Sequence, residues 1–170
     1  MNADTMFDVA GKKAIVTGAS RGLGQGIAEG FMEAGAEVAL WSTRPVSEAR
    51  AAEYRARGFA FHSLAADLAD AAARERCFDQ GVEQLGGRID ILVNAAGIQR
   101  RHNPEAFPLS DWEAVLNTNL TAVFVLCQKA ARLMIEQGGG KIINIASLMS
   151  FFGGHTIPAY TASKGGIAIL

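Results

Sequence analysis

The segment Thr17-Gly18-Ala19-Ser20-Arg21-Gly22-Leu23-Gly24 separates an apolar run, Ala14 to Val16, from a stretch of helical period, Gly22–Ala34. A glycine-rich turn between a strand and a helix lets the backbone approach a pyrophosphate closely. It also points free N–H groups of the helix N-terminus at that anion. The pattern therefore predicts a dinucleotide-binding turn. Its predicted ligand contacts are Gly18, Ser20, Arg21, Gly22, Leu23 and Gly24.

The rest of the chain alternates short apolar, β-branched runs with longer segments of helical period, which is typical of βαβ units. The predicted strands are Lys13–Thr17, Glu37–Ser42, Ala60–Ala65, Ile89–Asn94 and Lys141–Ala146. The predicted helices are Gly22–Ala34, Val46–Arg57, Ala69–Leu85, one long helix Ser110–Gln137, and a last one beginning near Ala159. Strands that are apolar on both faces are covered on both sides. We therefore expect an α/β fold: a Rossmann-type, doubly wound parallel sheet in three layers, α/β/α.

Capping residues mark several predicted helix ends. Asp70 and Ser110 are candidate N-caps, and glycines at 35, 58, 86 and 138 are placed to end helices in a left-handed conformation. The last helix has scarcely begun where the sequence stops, and the apolar stretch Ile167 to Leu170 has no later element to pack against. We expect residues 1–170 to form a single dinucleotide-binding and catalytic domain that lacks its C-terminal strands.

Composition limits the partners. A chain of 170 residues with 49% hydrophobic and 19% charged residues is expected to form one compact core. Its net charge of -1 indicates neither nucleic acid nor an anionic membrane as a partner, and no apolar run approaches transmembrane length. Cys77 and Cys127 form no CxxC or metal-ligand spacing. They are interpreted as reduced packing thiols of a cytoplasmic protein without a metal site.

A second set of residues carries acid–base chemistry. Tyr160 and Lys164 are four residues apart at the start of a predicted helix, so they share one face. An ammonium group beside a phenol favours the phenolate, which can exchange a proton with an alcohol or a ketone. Ser147 lies at the end of the fifth predicted strand, where open α/β sheets place functional side chains. By itself, the Tyr–Lys pair would equally fit a surface lysine beside a packing tyrosine.

The glycine spacing G-x-x-x-G-x-G, the Asn94-Ala95-Ala96-Gly97 segment and the Tyr160–Lys164 pair together resemble the short-chain dehydrogenase/reductase family. The resemblance covers the chain from about residue 10 to its end. It implies that Tyr160 is the general acid/base, that Lys164 assists it and binds the ribose, and that Ser147 orients the substrate.

The resemblance also assigns roles to residues other than Tyr160, Lys164 and Ser147. It implies that Asn119 holds a water linking the lysine to solvent; Asn117 is a rival position, and we favour Asn119 because Leu120 follows it as in the family pattern. The remaining predicted coenzyme contacts are Asp67, Leu68, Asn94, Ala95, Gly97, Tyr160 and Lys164.

The residues that distinguish NAD from NADP lie at the end of the second predicted strand and just after it, in Leu40-Trp41-Ser42-Thr43-Arg44. An acid there binds a free ribose 2′-hydroxyl, and a base accepts a 2′-phosphate. Ser42 replaces the acid, and Arg44 with Arg21 could hold a phosphate, which favours NADP. Solvated surface arginines are the competing interpretation. The subgroup that the chain resembles often uses NAD, so the sequence predicts NAD or NADP.

That subgroup is the 2-deoxy-D-gluconate 3-dehydrogenases, also called 2-keto-3-deoxygluconate oxidoreductases. The resemblance implies interconversion of a secondary alcohol and a ketone on a sugar acid, by a homotetramer. Arg100, Arg101 and His102 could meet the carboxylate, unless they are simply solvated, and His155 is a second candidate contact. The alternatives are a 3-oxoacyl-carrier-protein-type reductase and a non-catalytic dinucleotide-binding module.

Overall fold

A parallel five-stranded sheet forms the centre of the computed structural model, which describes residues 7–170. Its strands are β1 (Lys13–Thr17), β2 (Glu37–Ser42), β3 (Phe61–Ala65), β4 (Ile91–Asn94) and β5 (Lys141–Asn144). They lie in the order β3-β2-β1-β4-β5, so the chain reverses direction across the sheet after β3. This arrangement confirms the predicted Rossmann-type fold.

The helices follow the strands in turn. They are α1 (Gly22–Glu33), α2 (Glu48–Ala56), α3 (Ala71–Gln84), α4 (Leu109–Leu116), α5 (Ala122–Glu136) and α6 (Pro158–Ile169). Short 3₁₀ turns lie at Pro104–Ala106 and Leu148–Ser150. None of the helices within residues 7–170 is long and apolar enough to cross a membrane.

The core lies on both faces of the sheet, because neighbouring residues of a strand point to opposite sides. Ala14 and Val16 pack with Ala28 and Met32 of α1, and the intervening Ile15 packs on the other face. That second face is covered by α3 and α5, whose buried core residues are Cys77, Phe78, Ala122, Leu126, Ala130 and Met134. Helices on both faces hold the strand ends in fixed relative positions, which is what a site at those ends requires.

The predicted long helix Ser110–Gln137 is wrong in one respect. It is divided into α4 and α5 by a π-helical turn, Asn117–Thr121. Ser110 is also not the N-cap, because the N–H groups of Asp111 and Trp112 in the first turn of α4 donate to the carbonyl of Pro108 (both 3.1 Å), which is the N-cap residue. The helix thus begins two residues earlier than Ser110 would allow as its cap.

Other helix-end predictions are confirmed. The Asp70 side chain accepts the N–H of Ala73 (2.9 Å) at the start of α3. The glycines at 35, 58, 86 and 138 all have positive φ angles, between 73° and 84°. At the end of the chain, Ile167 is buried, whereas Ile169 is 90% exposed.

A trio of polar side chains joins three neighbouring strands. Glu37, the first residue of β2, accepts hydrogen bonds from Lys13 of β1 and contacts Nε2 of His62 on β3 (2.6 Å). These two contacts, that with Lys13 first, hold the pKa of the Glu37 carboxyl below its usual value. The carboxylate therefore contributes to the pairing of β1, β2 and β3 only while it is ionised.

Replacing Glu37 by Gln is expected to lower the free energy of unfolding at neutral pH by about 1 kcal/mol. Since the folded-state pKa is depressed, this stabilisation is present above the unfolded-state pKa and is lost as the pH falls through the folded value. Urea unfolding curves of wild type and variant should therefore converge in acid. The exposed control Glu83→Gln should change neither curve. A Glu37→Gln deficit that stays constant down to acid pH would contradict this account.

Candidate functional site

A cleft opens at the carboxyl ends of the strands, where four chain segments meet. Its walls are the glycine-rich turn after β1, the end of β2, the segment 66–69 after β3, and the loop 95–98 after β4. The two central strands, β1 and β4, lie side by side, and the chain changes direction between them. This is the position at which doubly wound sheets bind ligands.

The glycine-rich turn has the backbone that the sequence predicts. Gly18 and Gly22 have φ angles of 71° and 58°, a region that disfavours side chains. A Cβ on Gly18 would lie 2.8 Å from the Ala96 backbone, and one on Gly24 would lie 2.4 Å from the Gly18 carbonyl oxygen. The turn therefore packs tightly against the loop after β4, and two of its glycines leave no room for a methyl group.

The N-terminus of α1 is open to an anion. Its N-cap residue, Arg21, has an extended backbone, and no side-chain cap hydrogen bond is made there. Its first turn also contains no acidic residue. The first N–H groups of a helix carry a partial positive charge and need acceptors. This end of α1 therefore offers donors to a phosphate in the cleft.

Thr17 connects the glycine turn with the loop after β4. Its Oγ1 accepts the N–H groups of Ala95 (3.1 Å) and Ala96 (3.2 Å), and it is close enough to donate to the Val93 carbonyl (3.4 Å). One buried hydroxyl thus fixes the distance between two walls of the cleft. Thr17 was quoted in the sequence only as the start of the motif; its contacts are with residues some 77 positions away, which no local pattern reveals.

Most of the other residues predicted to contact the coenzyme line the cleft. Ser42, Asp67, Leu68, Ala95 and Gly97 line the cleft, as do the predicted residues of the glycine turn other than Gly22. Ser42 Oγ donates to the Arg44 carbonyl (2.8 Å), and Asp67 Oδ1 accepts the Ala69 N–H (2.9 Å).

Asn94 is turned away from the cleft. Its side chain is buried and donates to Oδ1 of Asn144 on β5 (2.8 Å), and it also contacts Sγ of Cys127 (3.5 Å). Through its side chain, Asn94 joins β4 to β5. A contact of Asn94 with the coenzyme stays a prediction for its backbone.

Next to the cleft lies a second, cationic cavity that shares Ser20, Arg21 and Thr43 with it. Arg21, Arg44 and Arg50 line this cavity, and Nη1 of Arg50 donates to the Ser20 carbonyl (3.3 Å). Its lining contains no carboxylate. Arg50, which the sequence analysis missed, comes from α2 and adds a third guanidinium to the two that the sequence singled out.

A chain of hydrogen bonds runs from Asn119 to the main-chain carbonyl of Tyr160. The Asn119 amide is fully buried; Oδ1 accepts the Ile98 N–H (2.8 Å) and Nδ2 donates to the Ile98 carbonyl (2.9 Å). Nδ2 also donates to Oγ of Ser163 (3.2 Å), and the Ser163 hydroxyl donates to the Tyr160 carbonyl (2.7 Å). The loop after β4 is thus tied to the first turn of α6. Asn119 is the favoured one of the two asparagines, and Ser163 is a residue that the sequence analysis missed.

Lys164 is buried on α6, and its ammonium donates to the Ile145 carbonyl. Nζ lies 5.9 Å from the centre of the Tyr160 ring. Burial lowers the pKa of the Lys164 ammonium from its usual value. The amine that the sequence predicts beside the phenol therefore lies near the Tyr160 ring and is largely shielded from water.

Ser147 follows β5 and caps the 3₁₀ turn Leu148–Ser150. Its Oγ accepts the Met149 N–H (3.1 Å), and its own N–H donates to Oγ of Ser150 (3.2 Å). The Ser150 hydroxyl in turn donates to the Lys164 carbonyl (2.7 Å). Ser150, also missed from the sequence, thereby fixes the Ser147 turn to α6. The Ser147 hydroxyl hydrogen is not used in these contacts and can be donated to a ligand.

The basic segment after the cleft loop is partly neutralised. Oδ2 of Asp111 lies 2.6 Å from Nε2 of His102, and Oδ1 of Asp111 lies 3.4 Å from Nε of Arg100. The His102 N–H also donates to the Thr156 carbonyl (3.1 Å), in the loop that precedes α6. Arg101 and His155 are exposed. Asp111 therefore competes with a ligand for two of the three candidate cations.

Comparison with known proteins identifies the family. The family model described as short chain dehydrogenase matches residues 12–170. The chain belongs to the short-chain dehydrogenase family. The match confirms the resemblance inferred from the glycine spacing and the Tyr160–Lys164 pair.

Among its short-chain dehydrogenase relatives, the 2-dehydro-3-deoxy-D-gluconate 5-dehydrogenase of Bacillus subtilis is 46% identical over 165 residues. A crystal structure of a gluconate 5-dehydrogenase from Burkholderia cenocepacia, in complex with NADP and tartrate, is 40% identical with a TM-score of 0.87, and the match covers 99% of this chain and 66% of that one. An NADP-bound structure from Agrobacterium tumefaciens, provisionally named a 2-deoxy-D-gluconate 3-dehydrogenase, is 42% identical with a TM-score of 0.81 and 95% and 63% coverage.

The chain is shorter than these short-chain dehydrogenases. The match to the Bacillus subtilis protein covers 95% of this chain and 63% of that relative. The fold and the family are thus shared over nearly the whole chain.

Proposed function

We propose that the protein is an NAD(P)-dependent oxidoreductase that interconverts a secondary alcohol and a ketone on a sugar acid. The observation that carries the proposal is the chain of hydrogen bonds from Ile98 through Asn119 and Ser163 to Tyr160. It ties a wall of the dinucleotide cleft to the helix that bears the tyrosine and the lysine. Family membership and the names of the relatives, which are sugar-acid dehydrogenases, support the same reaction class.

The side chains divide the proton chemistry between them. Tyr160 takes the proton of the substrate hydroxyl during oxidation and returns it during reduction. Lys164 brings an ammonium near the Tyr160 ring, and the Ser147 hydroxyl donates to the substrate oxygen. The nicotinamide ring, when bound, supplies or accepts the hydride. In this scheme Asn119 keeps the loop after β4 and the first turn of α6 in register.

The cationic cavity supports NADP as the preferred coenzyme. Three guanidinium groups in a lining that contains no carboxylate suit a ribose 2′-phosphate, because arginine donates planar, multiple hydrogen bonds to phosphate. Two of the similar solved structures were determined with NADP. NAD remains the alternative on the resemblance to the 2-deoxy-D-gluconate 3-dehydrogenases, which often use it.

Replacing Arg44 or Arg50 by Ala is expected to weaken NADPH binding about tenfold each, since a charged hydrogen bond to a phosphate is worth about 1.5–3 kcal/mol. NADH, which lacks the 2′-phosphate, should bind within about twofold of wild type. Titration calorimetry with both coenzymes measures this difference. Arg55→Ala, on the same helix but exposed and outside the cavity, is the matched control. Equal losses for NADPH and NADH would rule out a phosphate pocket.

The substrate carboxylate is proposed to contact the segment 100–102. Arg101 is exposed there, whereas Arg100 and His102 are held by Asp111. The relatives are named for oxidation at the 3-position and at the 5-position of the sugar chain, and we propose the 3-position of 2-deoxy-D-gluconate from the sequence resemblance.

We also propose a homotetrameric, cytoplasmic enzyme, which rests on the family resemblance and on the free thiols. Cys77 and Cys127 form no disulfide with each other. Burial raises the pKa of the Cys77 thiol to about 11. Such a thiol stays protonated and packs as a small apolar group. Sedimentation analysis of the purified protein tests the assembly.

The experiment that tests the proposed function is a coenzyme titration of the chain followed by a substrate panel. Trp41 lies in the wall of the cleft, so quenching of its fluorescence reports coenzyme binding. We expect saturable NADPH binding and hydride exchange with sugar acids. A chain that binds neither NADPH nor NADH would contradict the proposal.

A further inference from the structure

The segment 66–69 forms one wall of the cleft and follows β3 without regular secondary structure of its own. Three of its four carbonyl groups accept a hydrogen bond from a side chain. Trp41 Nε1 donates to Ala66 (3.1 Å), Arg74 Nη1 donates to Leu68 (2.7 Å), and Asn117 Nδ2 donates to Ala69 (2.9 Å). The three donors come from β2, α3 and the π-helical turn, so the wall is held from three directions.

Arg74 is an unusual residue for its position. It is 5% exposed on the face of α3 that also buries Cys77 and Phe78, where an apolar side chain would be expected. Its Nε finds no acceptor within residues 7–170. Burying a guanidinium that is only partly satisfied costs stability, which leucine or methionine there would not. The hydrogen bond from Arg74 to the Leu68 carbonyl is the favourable interaction that the structure shows at this position.

Asn117 and Asn119 serve opposite walls of the cleft. Residues two apart in a helix point to nearly opposite sides, and the π-helical turn keeps both amides at the level of the cleft. Asn117 holds Ala69 in the segment 66–69, and Asn119 holds Ile98 in the loop after β4. Thr118, between them, lines the cleft itself. One turn therefore sets the spacing between the two walls.

We propose that Arg74 and Asn117 are positioning residues that preorganise the segment 66–69 as a wall for a purine ring. The segment is bonded to the end of β2, through Ser42 and Trp41, and that strand end is where the 2′-position of the adenosine ribose is read. The inference rests on the proposed dinucleotide function and deepens it. Neither side chain lines the cleft, so both act through main-chain carbonyls. A wall fixed before binding loses little conformational entropy when the ligand arrives, so the tethers raise affinity for the adenine half of the coenzyme.

The test compares ligands that contain or lack adenine. Arg74→Met and Asn117→Ala each remove one donor. They are expected to weaken binding of NADPH and of adenosine 2′,5′-bisphosphate about fivefold to tenfold, the effect of one hydrogen bond. Reduced nicotinamide mononucleotide, which has no adenine, should bind as it does to the wild type. Arg74→Lys should restore part of the loss, because an ammonium can still donate to the Leu68 carbonyl.

Controls separate positioning from general structural damage. Arg76→Met, an exposed arginine two residues along the same helix, should leave all three ligands unaffected. Thermal unfolding of each variant reports the stability, which for Arg74→Met should stay close to wild type because an apolar chain replaces a buried charge. Unchanged NADPH affinity in both variants, or equal losses for the ligands with and without adenine, would overturn the inference. A wild-type chain that binds no coenzyme would instead contradict the proposed function itself.

Discussion

Replacing Tyr160 by Phe is expected to lower the rate of hydride transfer by a factor of about 10²–10⁴, the usual contribution of a positioned general acid or base. The variant keeps the aromatic ring beside Lys164 and removes only the hydroxyl to which we assign the proton exchange. The main-chain carbonyl of Tyr160, which accepts the Ser163 hydroxyl, is also unchanged. The change should therefore leave the fold and the cleft intact. Single-turnover rates with protein in excess over NADPH measure the effect even when transfer is slow.

The NADPH affinity of Tyr160→Phe serves as its internal control. It should stay within about threefold of wild type, since the glycine turn and the cationic cavity are untouched. A variant that transfers hydride at the wild-type rate would show that Tyr160 is not the acid or base.

Replacing Gly24 by Ala is expected to abolish tight coenzyme binding. The added Cβ would lie 2.4 Å from the Gly18 carbonyl oxygen, a distance that forces the turn and α1 apart. The N–H groups at the start of α1 would then no longer point at the pyrophosphate, and we expect at least about a hundredfold loss in NADPH affinity. Thermal unfolding should show a loss of stability in the same variant, of about 1–3 kcal/mol for such overpacking.

Gly26 and Gly30 lie in the same helix and provide matched controls. A Cβ at either position meets no atom within 4 Å. Because alanine favours a helix interior more than glycine does, Gly26→Ala and Gly30→Ala should each stabilise the protein by about 0.5–1 kcal/mol. Their NADPH affinity should equal that of wild type. Similar affinity losses at Gly24, Gly26 and Gly30 would mean that the close approach at Gly24 is not what matters.

Local patterns were sufficient for most of the fold. The strands Lys13–Thr17 and Glu37–Ser42 have the predicted bounds. In each strand the buried residues form a continuous apolar run, which is flanked by turn residues. The strand predicted from Ile89 begins two residues later, and the one predicted to Ala146 ends at Asn144. Such ends depend on which partner strand is available, which the sequence of one strand does not contain.

The division of the long helix could not be derived from hydrophobic period. A π-helical turn inserts one residue into a pattern that continues on either side, and α4 and α5 each keep an amphipathic face. Asn119 gave a signal, since asparagine is a poor helix former. The structure shows why two asparagines lie there, because each holds a different wall of the cleft.

For the site, motifs identified residues that line the cleft but missed those that hold its walls. The glycine turn and the Tyr160–Lys164 pair have fixed spacings that can be read along the chain. Thr17, Arg50, Ser150 and Ser163 act on residues distant in the sequence or through backbone atoms, so no spacing marks them. The predicted Asn94 shows the opposite case, because its motif is present while its side chain points to β5.

We propose that the dinucleotide cleft and the Tyr160 helix act together in hydride transfer on a sugar acid. The most direct measurement is a rate matrix of NADPH and NADH against oxidised sugar acids and 3-oxoacyl thioesters, with Tyr160→Phe alongside. We predict hydride transfer from NADPH to a sugar acid at a rate that Tyr160→Phe lowers by a factor of about 10²–10⁴. Coenzyme binding without transfer to any sugar acid, or transfer to the thioesters alone, would contradict this account.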